Sequence, residues 1–279
     1  MFVSSLKVRN WRNFRSSQID LSQRTFVLGA NAAGKSNLLD VFRFLRDVCS
    51  AQGGGLQSAL QLRGGFSKVR CLSARQRPYV EIDVELQASS EAENSWRYRL
   101  SITQETRGFR RPIVEREEVY KNGELILKRP NQDDIADPER LIQTHLEQVN
   151  NNVKFREISR FCGAITYLHL VPQLLRYADA ISGRIIETDP FGQGFLERVA
   201  KTPERSQKSR LKRIESALKI AVPNLRELKF ERDGATGRPH LAALYEHWRP
   251  NAGWQQEDQF SDGTLRLIGL LWALLEDDS

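Results

Sequence analysis

Cysteine is scarce and poorly placed for chemistry. The 279-residue chain has three, Cys49, Cys71 and Cys162, an odd set with no C-x-x-C pair. Such a set disfavours both a disulfide framework and a zinc site, so all three read as reduced thiols packed in the interior. His145, His169, His240 and His247 are scattered over separate elements without ligand spacing, which assigns them no metal. Long apolar runs are missing too: stretches such as Leu267 to Leu275 fall far short of the roughly 18 to 20 residues that cross a bilayer. Met1-Phe2-Val3-Ser4-Ser5-Leu6-Lys7 lacks the charged head and continuous apolar stretch of a secretion signal, so a cytoplasmic location without membrane attachment is expected. Neither an internal repeat nor a heptad run long enough for a coiled-coil arm is present.

What is present suits a folded chain, with 40% hydrophobic residues to fill one large or two smaller cores. The formal charge of +7 is compatible with a nucleic-acid partner, because Lys and Arg neutralise phosphates and release counterions. Apolar alternation predicts strands at Phe2 to Val8, Gln18 to Leu21, Tyr79 to Leu86 and Trp96 to Thr103. Val114 to Tyr120 and Glu124 to Lys128 flank Lys121-Asn122-Gly123, a hairpin turn that wants positive φ. Ala164 to Leu170 and the pair Leu225 to Glu231 and Leu241 to Glu246 read as further strands. Helices are expected after Gly34, from Pro138 to about Val149, over 203–221 and from about Ser261 to Leu275, with 51–78 irregular. Arg205, Lys208, Arg210, Lys212, Arg213 and Lys219 make the 203–221 helix basic, as a solvated face or as phosphate contacts.

The sharpest signal is Gly29-Ala30-Asn31-Ala32-Ala33-Gly34-Lys35-Ser36, a complete G-x-x-x-x-G-K-[ST] phosphate loop, or Walker A. It follows the apolar Thr25-Phe26-Val27-Leu28, expected as a buried strand, and opens an amphipathic helix. The glycines let backbone N–H groups turn onto phosphates, Lys35 reaches the β and γ oxygens, and the Ser36 hydroxyl suits Mg²⁺ at the positive helix end. Such a loop by itself leaves kinases, GTPases, AAA+ motors and ABC-type ATPases open. Near the other end, Ser261 and Asp262 are good N-cap residues and Gly263 lets a phosphate approach the last helix, which makes a second anion site or an ordinary cap.

Leu6-Lys7-Val8-Arg9-Asn10-Trp11-Arg12-Asn13-Phe14-Arg15, together with the loop and the following Ser36-Asn37-Leu38-Leu39-Asp40, resembles the N-terminal lobe of RecF/SMC-like ABC-type ATPases. Phe260-Ser261-Asp262-Gly263-Thr264-Leu265-Arg266 resembles the ABC signature of RecF/OLD-like AAA family ATPases. The resemblance implies an α/β P-loop NTPase, an ABC-type head with a mixed sheet, an antiparallel β subdomain and a helical lobe. It implies ATP and Mg²⁺ on Gly29, Ala30, Asn31, Ala32, Ala33, Gly34, Lys35, Ser36 and Asn37, completed by Ser261, Asp262 and Gly263 of a second copy in an ATP-dependent homodimer. Lys35 and Gln173 take the catalytic roles, and Ser36 and Gln173 face the metal, Gln173 as a Q-loop residue after the Ala164 to Leu170 strand. Arg12, Asn13 and Phe14 approach the adenine or ribose by the same likeness.

Four regions are expected: 1–78 with the phosphate loop, 79–128 antiparallel, 129–222 helical and 223–279 with the strand pair and signature helix. The Walker B strand that should follow the signature is not found; Leu271 to Leu275 with Glu276-Asp277-Asp278 reads as helix and its solvated end. The expectation is a C-terminally truncated ATPase head acting in a DNA-linked process such as repair or phage defence. The alternative is a nucleotide-binding module without turnover that controls a partner nuclease or effector.

Overall fold

The computed structural model describes residues 1–74, 79–88, 95–177, 189–247 and 253–277. It divides into two compact units, Met1–Thr166 and Tyr167–Ser279. Asp278 of the expected acidic end lies outside the described residues.

The first unit is a six-stranded sheet with helices on one face. Its strands are β1 (Phe2–Trp11), β2 (Phe14–Asp20), β3 (Val80–Gln87), β4 (Ser95–Gln104), β5 (Pro112–Lys121) and β6 (Glu124–Arg129). The order is β2-β1-β3-β4-β5-β6 and every pairing is antiparallel. Because β1 is hydrogen-bonded to β3, regions 1–78 and 79–128 share one sheet. Side chains alternate across the pleat. Leu6, Val8, Ile82, Val84, Tyr98 and Leu100 therefore face inward onto α1 (Lys35–Cys49), whose Val41, Phe44, Leu45 and Val48 are buried at helical spacing. On the opposite face Lys7, Asp83, Arg99, Glu118 and Lys128 stand in register across five strands as a ladder of alternating charge. Arg97 and Arg99 lie 2.7 and 3.0 Å from Asp83. Burial works against ionising that carboxyl, yet the two guanidiniums hold it below its ordinary range. At the β5–β6 turn Asn122 and Gly123 take φ of 50° and 84°, the left-handed pair a two-residue hairpin requires.

Three expectations about this unit are corrected. Thr25 to Leu28 form no strand; no described residue pairs with them, and Phe26 and Leu28 are 89% and 92% exposed. An apolar run becomes a strand only where a neighbour takes its backbone hydrogen bonds. Within the expected irregular stretch 51–78, the described residues 51–74 are less irregular than their glycines imply, since α2 (Leu56–Gln61) and α3 (Phe66–Val69) bury Leu56, Leu60, Phe66 and Val69. Between β6 and α5 (Arg156–Gly163), the helix expected from Pro138 to Val149 is reduced to a 3₁₀ turn at Pro138–Ile142, with the short α4 (Gln132–Ala136) before it and a 3₁₀ turn at Val153–Phe155 after it. Its backbone groups are taken by buried charges. Arg129 donates to the carbonyls of Arg140 and Gln143, while the Glu117 carboxylate accepts the N–H groups of His145 and Leu146.

Glu147 in this segment accepts the Leu56 N–H at 2.7 Å, which tethers the start of α2. Burial raises its pKa to about 7 from 4.5, partly offset by hydrogen bonds from Leu56 and Thr144. The folded state thus holds this proton more tightly than the unfolded chain, and the associated stability is full below pH 4.5 and lost as pH rises through about 7. His145 acts oppositely: burial, then Arg129, lowers its pKa to about 4 from 6.5, so its contribution is full above 6.5 and lost toward 4. Glu147→Gln should leave stability unchanged near pH 4.5 and raise it at pH 8 by up to about 3 kcal/mol. Urea melts at both pH values test this; parallel wild-type and variant curves would refute it.

The second unit holds α6 (Pro172–Arg176), α7 (Phe195–Lys201), α8 (Glu204–Ala221), β7 (Leu225–Arg232), β8 (Pro239–Tyr245), β9 (Trp254–Gln256) and α9 (Asp262–Asp277). Its sheet runs β7-β8-β9, again antiparallel. Leu211, Ile214 and Leu218 of α8 are buried at the spacing read from sequence, and Trp272 of α9 meets Phe195 edge to face. On the exposed side of α8, Lys208 and Lys219 pair with Glu204 and Glu215 of the same helix. The strand expected at Ala164 to Leu170 is absent: Ala164 closes α5, and 165–170 run without regular structure. Farther along, the His169 and Val171 N–H groups donate to the carbonyls of Pro190 and Phe191. Leu271 to Leu275 lie within α9, as the helical reading had it.

Candidate functional site

The first unit carries Gly29 to Asn37. Gly34 adopts φ 98° and ψ 6°, a left-handed turn that lets α1 begin at Lys35, and Ala32 is also left-handed with φ 64°. No side chain caps α1, and its first intrahelical bond runs from the Leu38 N–H to the Gly34 carbonyl at 2.9 Å. The N–H groups of the first turn therefore have no acceptor within the helix and carry its positive end. Lys35 arches back over the loop, its Nζ 2.6 Å from the Gly29 carbonyl and 2.7 Å from that of Ala30. The Ser36 side chain stands exposed in the same turn.

The β1–β2 hairpin buttresses this loop. Asn13 Oδ1 accepts from Asn37 Nδ2 at 2.7 Å, and Trp11 Nε1 donates to the Asn37 carbonyl at 3.0 Å. Arg12 reaches Asp40 at 2.7 Å, and Arg63 joins Asp40 and Asp47 at 3.0 and 2.9 Å. Arg12, Asn13 and Phe14 thus contact the loop and its helix. Among the loop's supports, Trp11 and Asp40 lie within the motif segments on either side of it, but Arg63 carries no sequence signal because only α2 brings it back to α1.

A Cβ on Gly34 would lie 2.6 Å from Asn13 Nδ2 and 3.0 Å from Phe14 Cζ, at a φ that L-residues resist. Gly34→Ala should cost about 1–2 kcal/mol of stability and displace the loop from its hairpin. The expected readout is a loss of at least about tenfold in affinity for a fluorescent ATP analogue, and unchanged affinity would refute it.

The second unit carries Gln173 and Ser261 to Gly263. Ser261 Oγ accepts the Thr264 N–H at 3.1 Å, and the Leu265 N–H donates to the Ser261 carbonyl at 3.0 Å, so Ser261 caps α9. A Cβ on Gly263 would meet nothing nearer than Ser261 Oγ at 3.9 Å, which leaves the helix end open. Gln173 is exposed on the single turn of α6. Arg176 at the end of that turn pairs with Asp262 at 2.8 Å and donates to the Phe260 carbonyl. No sequence motif pointed to it. Among the described residues no group of three or more His, Cys, Asp or Glu could hold a metal. The Ser36 hydroxyl is an oxygen donor of the kind that suits a hard ion such as Mg²⁺ completed by phosphate and water, rather than an all-protein cage.

The sequence pattern of the family described as "AAA domain, putative AbiEii toxin, Type IV TA system" matches residues 24–279, from just before the phosphate loop through α9. The chain belongs to this AAA family. Shorter stretches are similar to RecF proteins. It is 32% identical over 87 residues to the DNA replication and repair protein RecF of Picosynechococcus, covering 31% of this chain and 22% of that one. The RecF of Oenococcus oeni is 36% identical over 70 residues, 25% of this chain and 19% of that protein. These matches span about a fifth of the curated relatives. Among solved structures, the Smc head domain with an extended coiled coil from Pyrococcus furiosus is 14% identical with a TM-score of 0.45, covering 99% of this chain and 79% of that one. The recombination mediator protein RecF, from a structure named for the RecFOR pathway, is 13% identical with a TM-score of 0.35, covering 99% and 80%. The AAA family read from the sequence is thus the chain's own, and its likeness to RecF proteins is limited to these partial matches. Among the described residues of this AAA protein no helix is long and apolar enough to cross a membrane.

Proposed function

We propose that this chain binds Mg·ATP on Gly29 to Asn37 and that ATP joins two copies, Ser261, Asp262 and Gly263 of one closing on the phosphate loop of the other. The observation that carries this reading is the uncapped N-terminus of α1 behind a left-handed Gly34, with Lys35 held over the loop. Backbone N–H groups there would bind the phosphates and Lys35 would swing from the loop carbonyls to the β and γ oxygens. The Ser36 hydroxyl would hold Mg²⁺, which when bound offsets phosphate charge and polarises the terminal phosphoryl group. The process served is DNA-linked, such as repair or phage defence in the cytoplasm. The RecF relatives' name and the toxin–antitoxin wording of the family description support that setting.

Light scattering with a non-hydrolysable ATP analogue and Mg²⁺ tests the assembly. Doubling of the mass with analogue, and none with EDTA, is expected; a monomer under both conditions sinks the dimer. A second reading, ATP binding without turnover to control a partner nuclease or effector, is favoured by the helical state of Leu271 to Glu276, which denies that segment the role of an acid-bearing strand. Phosphate release that disappears in Lys35→Ala would exclude it.

A further inference from the structure

The contact between α6 and the start of α9 poses an electrostatic problem that bears on the composite site proposed above. Asp262 is the first residue of α9, its side chain half exposed, beside the helix end offered to a partner's nucleotide. An unpaired carboxylate there favours the helix but repels phosphate. Arg176 resolves the conflict. Its Nη2 lies 2.8 Å from Asp262 Oδ1 and also donates to the Phe260 carbonyl, one residue before the Ser261 cap. The guanidinium is largely buried, with 14% of its side chain exposed, and its Nε has no hydrogen-bond partner. A buried guanidinium with an unused donor serves poorly as a stabilising pair, since burial costs more than one exposed carboxylate returns.

We propose that Arg176 is a positioning residue that neutralises Asp262 and fixes the Phe260–Gly263 segment, so that the end of α9 attracts a nucleotide phosphate instead of repelling it. The inference rests on the ATP-dependent dimer. It also assigns the turn bearing Gln173 a second task, because Gln173 and Arg176 lie on the same helix.

The experiment measures two quantities on the full chain: affinity for a fluorescent ATP analogue at protein concentrations below dimerisation, and the dimer dissociation constant with non-hydrolysable ATP and Mg²⁺. Arg176→Met should keep the first within about twofold and weaken the second about tenfold. Asp262→Asn added to Arg176→Met should restore dimerisation to within about threefold of wild type, because no carboxylate remains to be cancelled. Arg176→Lys should fall between. Asp262→Asn alone retains the Ser261 cap and the backbone N–H at the start of α9 through which residue 262 would meet the phosphate, and it covers the case in which Arg176→Met does not fold; it should dimerise at least as tightly as wild type. Arg176→Met dimerising like wild type, or a double variant no better than Arg176→Met, would overturn the proposal while leaving the dimer standing. If Arg176→Met does not fold, Asp262→Asn dimerising more weakly than wild type would do the same. A wild-type chain that stays monomeric with ATP overturns both.

Discussion

Lys35→Ala is expected to weaken ATP binding by at least about 100-fold, some 2.7 kcal/mol, with little change in stability. Among the described residues Nζ bonds to the Gly29 and Ala30 carbonyls, in an exposed loop. Removing them leaves no buried group unpaired, so the stability change should stay within about 0.5 kcal/mol. The same ammonium is the one mobile charge on the loop that can follow the β and γ phosphates, and charge-assisted bonds to phosphate are the strong ones. Calorimetric titration with Mg·ATP beside a thermal melt measures both. Undiminished binding would remove the phosphate loop from the function; a large fall in melting temperature would show that Lys35 holds the fold instead.

Arg129→Met should give the largest loss of stability in the first unit. Arg129 is 1% exposed and reaches Glu117 at 3.0 Å and Asp134 at 2.8 Å while holding the Arg140 and Gln143 carbonyls. Burial drives the Glu117 carboxyl upward in pKa, against the pull of His145, Arg129 and Leu146. Without the guanidinium, Glu117 must take up a proton or stay charged without its ion pair, and breaking such a pair typically costs about 3–5 kcal/mol. Denaturant and thermal melts of the full chain would measure the loss, the latter as a fall in melting temperature of roughly 10 °C. A cost below about 1 kcal/mol would show that Met packing replaces the network. Glu117→Leu in the same background should recover only part of the loss, because the His145 and Leu146 N–H groups would then lack an acceptor.

The loop at Gly29 to Ser36 was legible residue by residue because its chemistry is local: a left-handed glycine, a lysine and a hydroxyl at a helix start. The Asn122-Gly123 turn, the faces of α1 and α8 and the alternation of β3 and β4 were legible for the same reason, since period and turn chemistry act over a few neighbours. Thr25 to Leu28 and Ala164 to Leu170 carry equally good strand patterns and form no strand, because pairing needs a second segment that the pattern does not name. Pro138 to Val149 fails as a helix for a related reason. Arg129 and Glu117 reach it from β6 and β5 and take the N–H and carbonyl groups that the helix would need.

The sequence by itself determined the family, the phosphate loop, the cap at Ser261 and most of the antiparallel strands. Tertiary structure alone decided that β1 joins that sheet, that Asn13 and Arg63 brace the loop, and that Arg176 meets Asp262. Those last contacts join residues 24, 23 and 86 positions apart. Backbone preference falls off within a turn or two, whereas a charge buried by folding must find its partner wherever the chain has brought one.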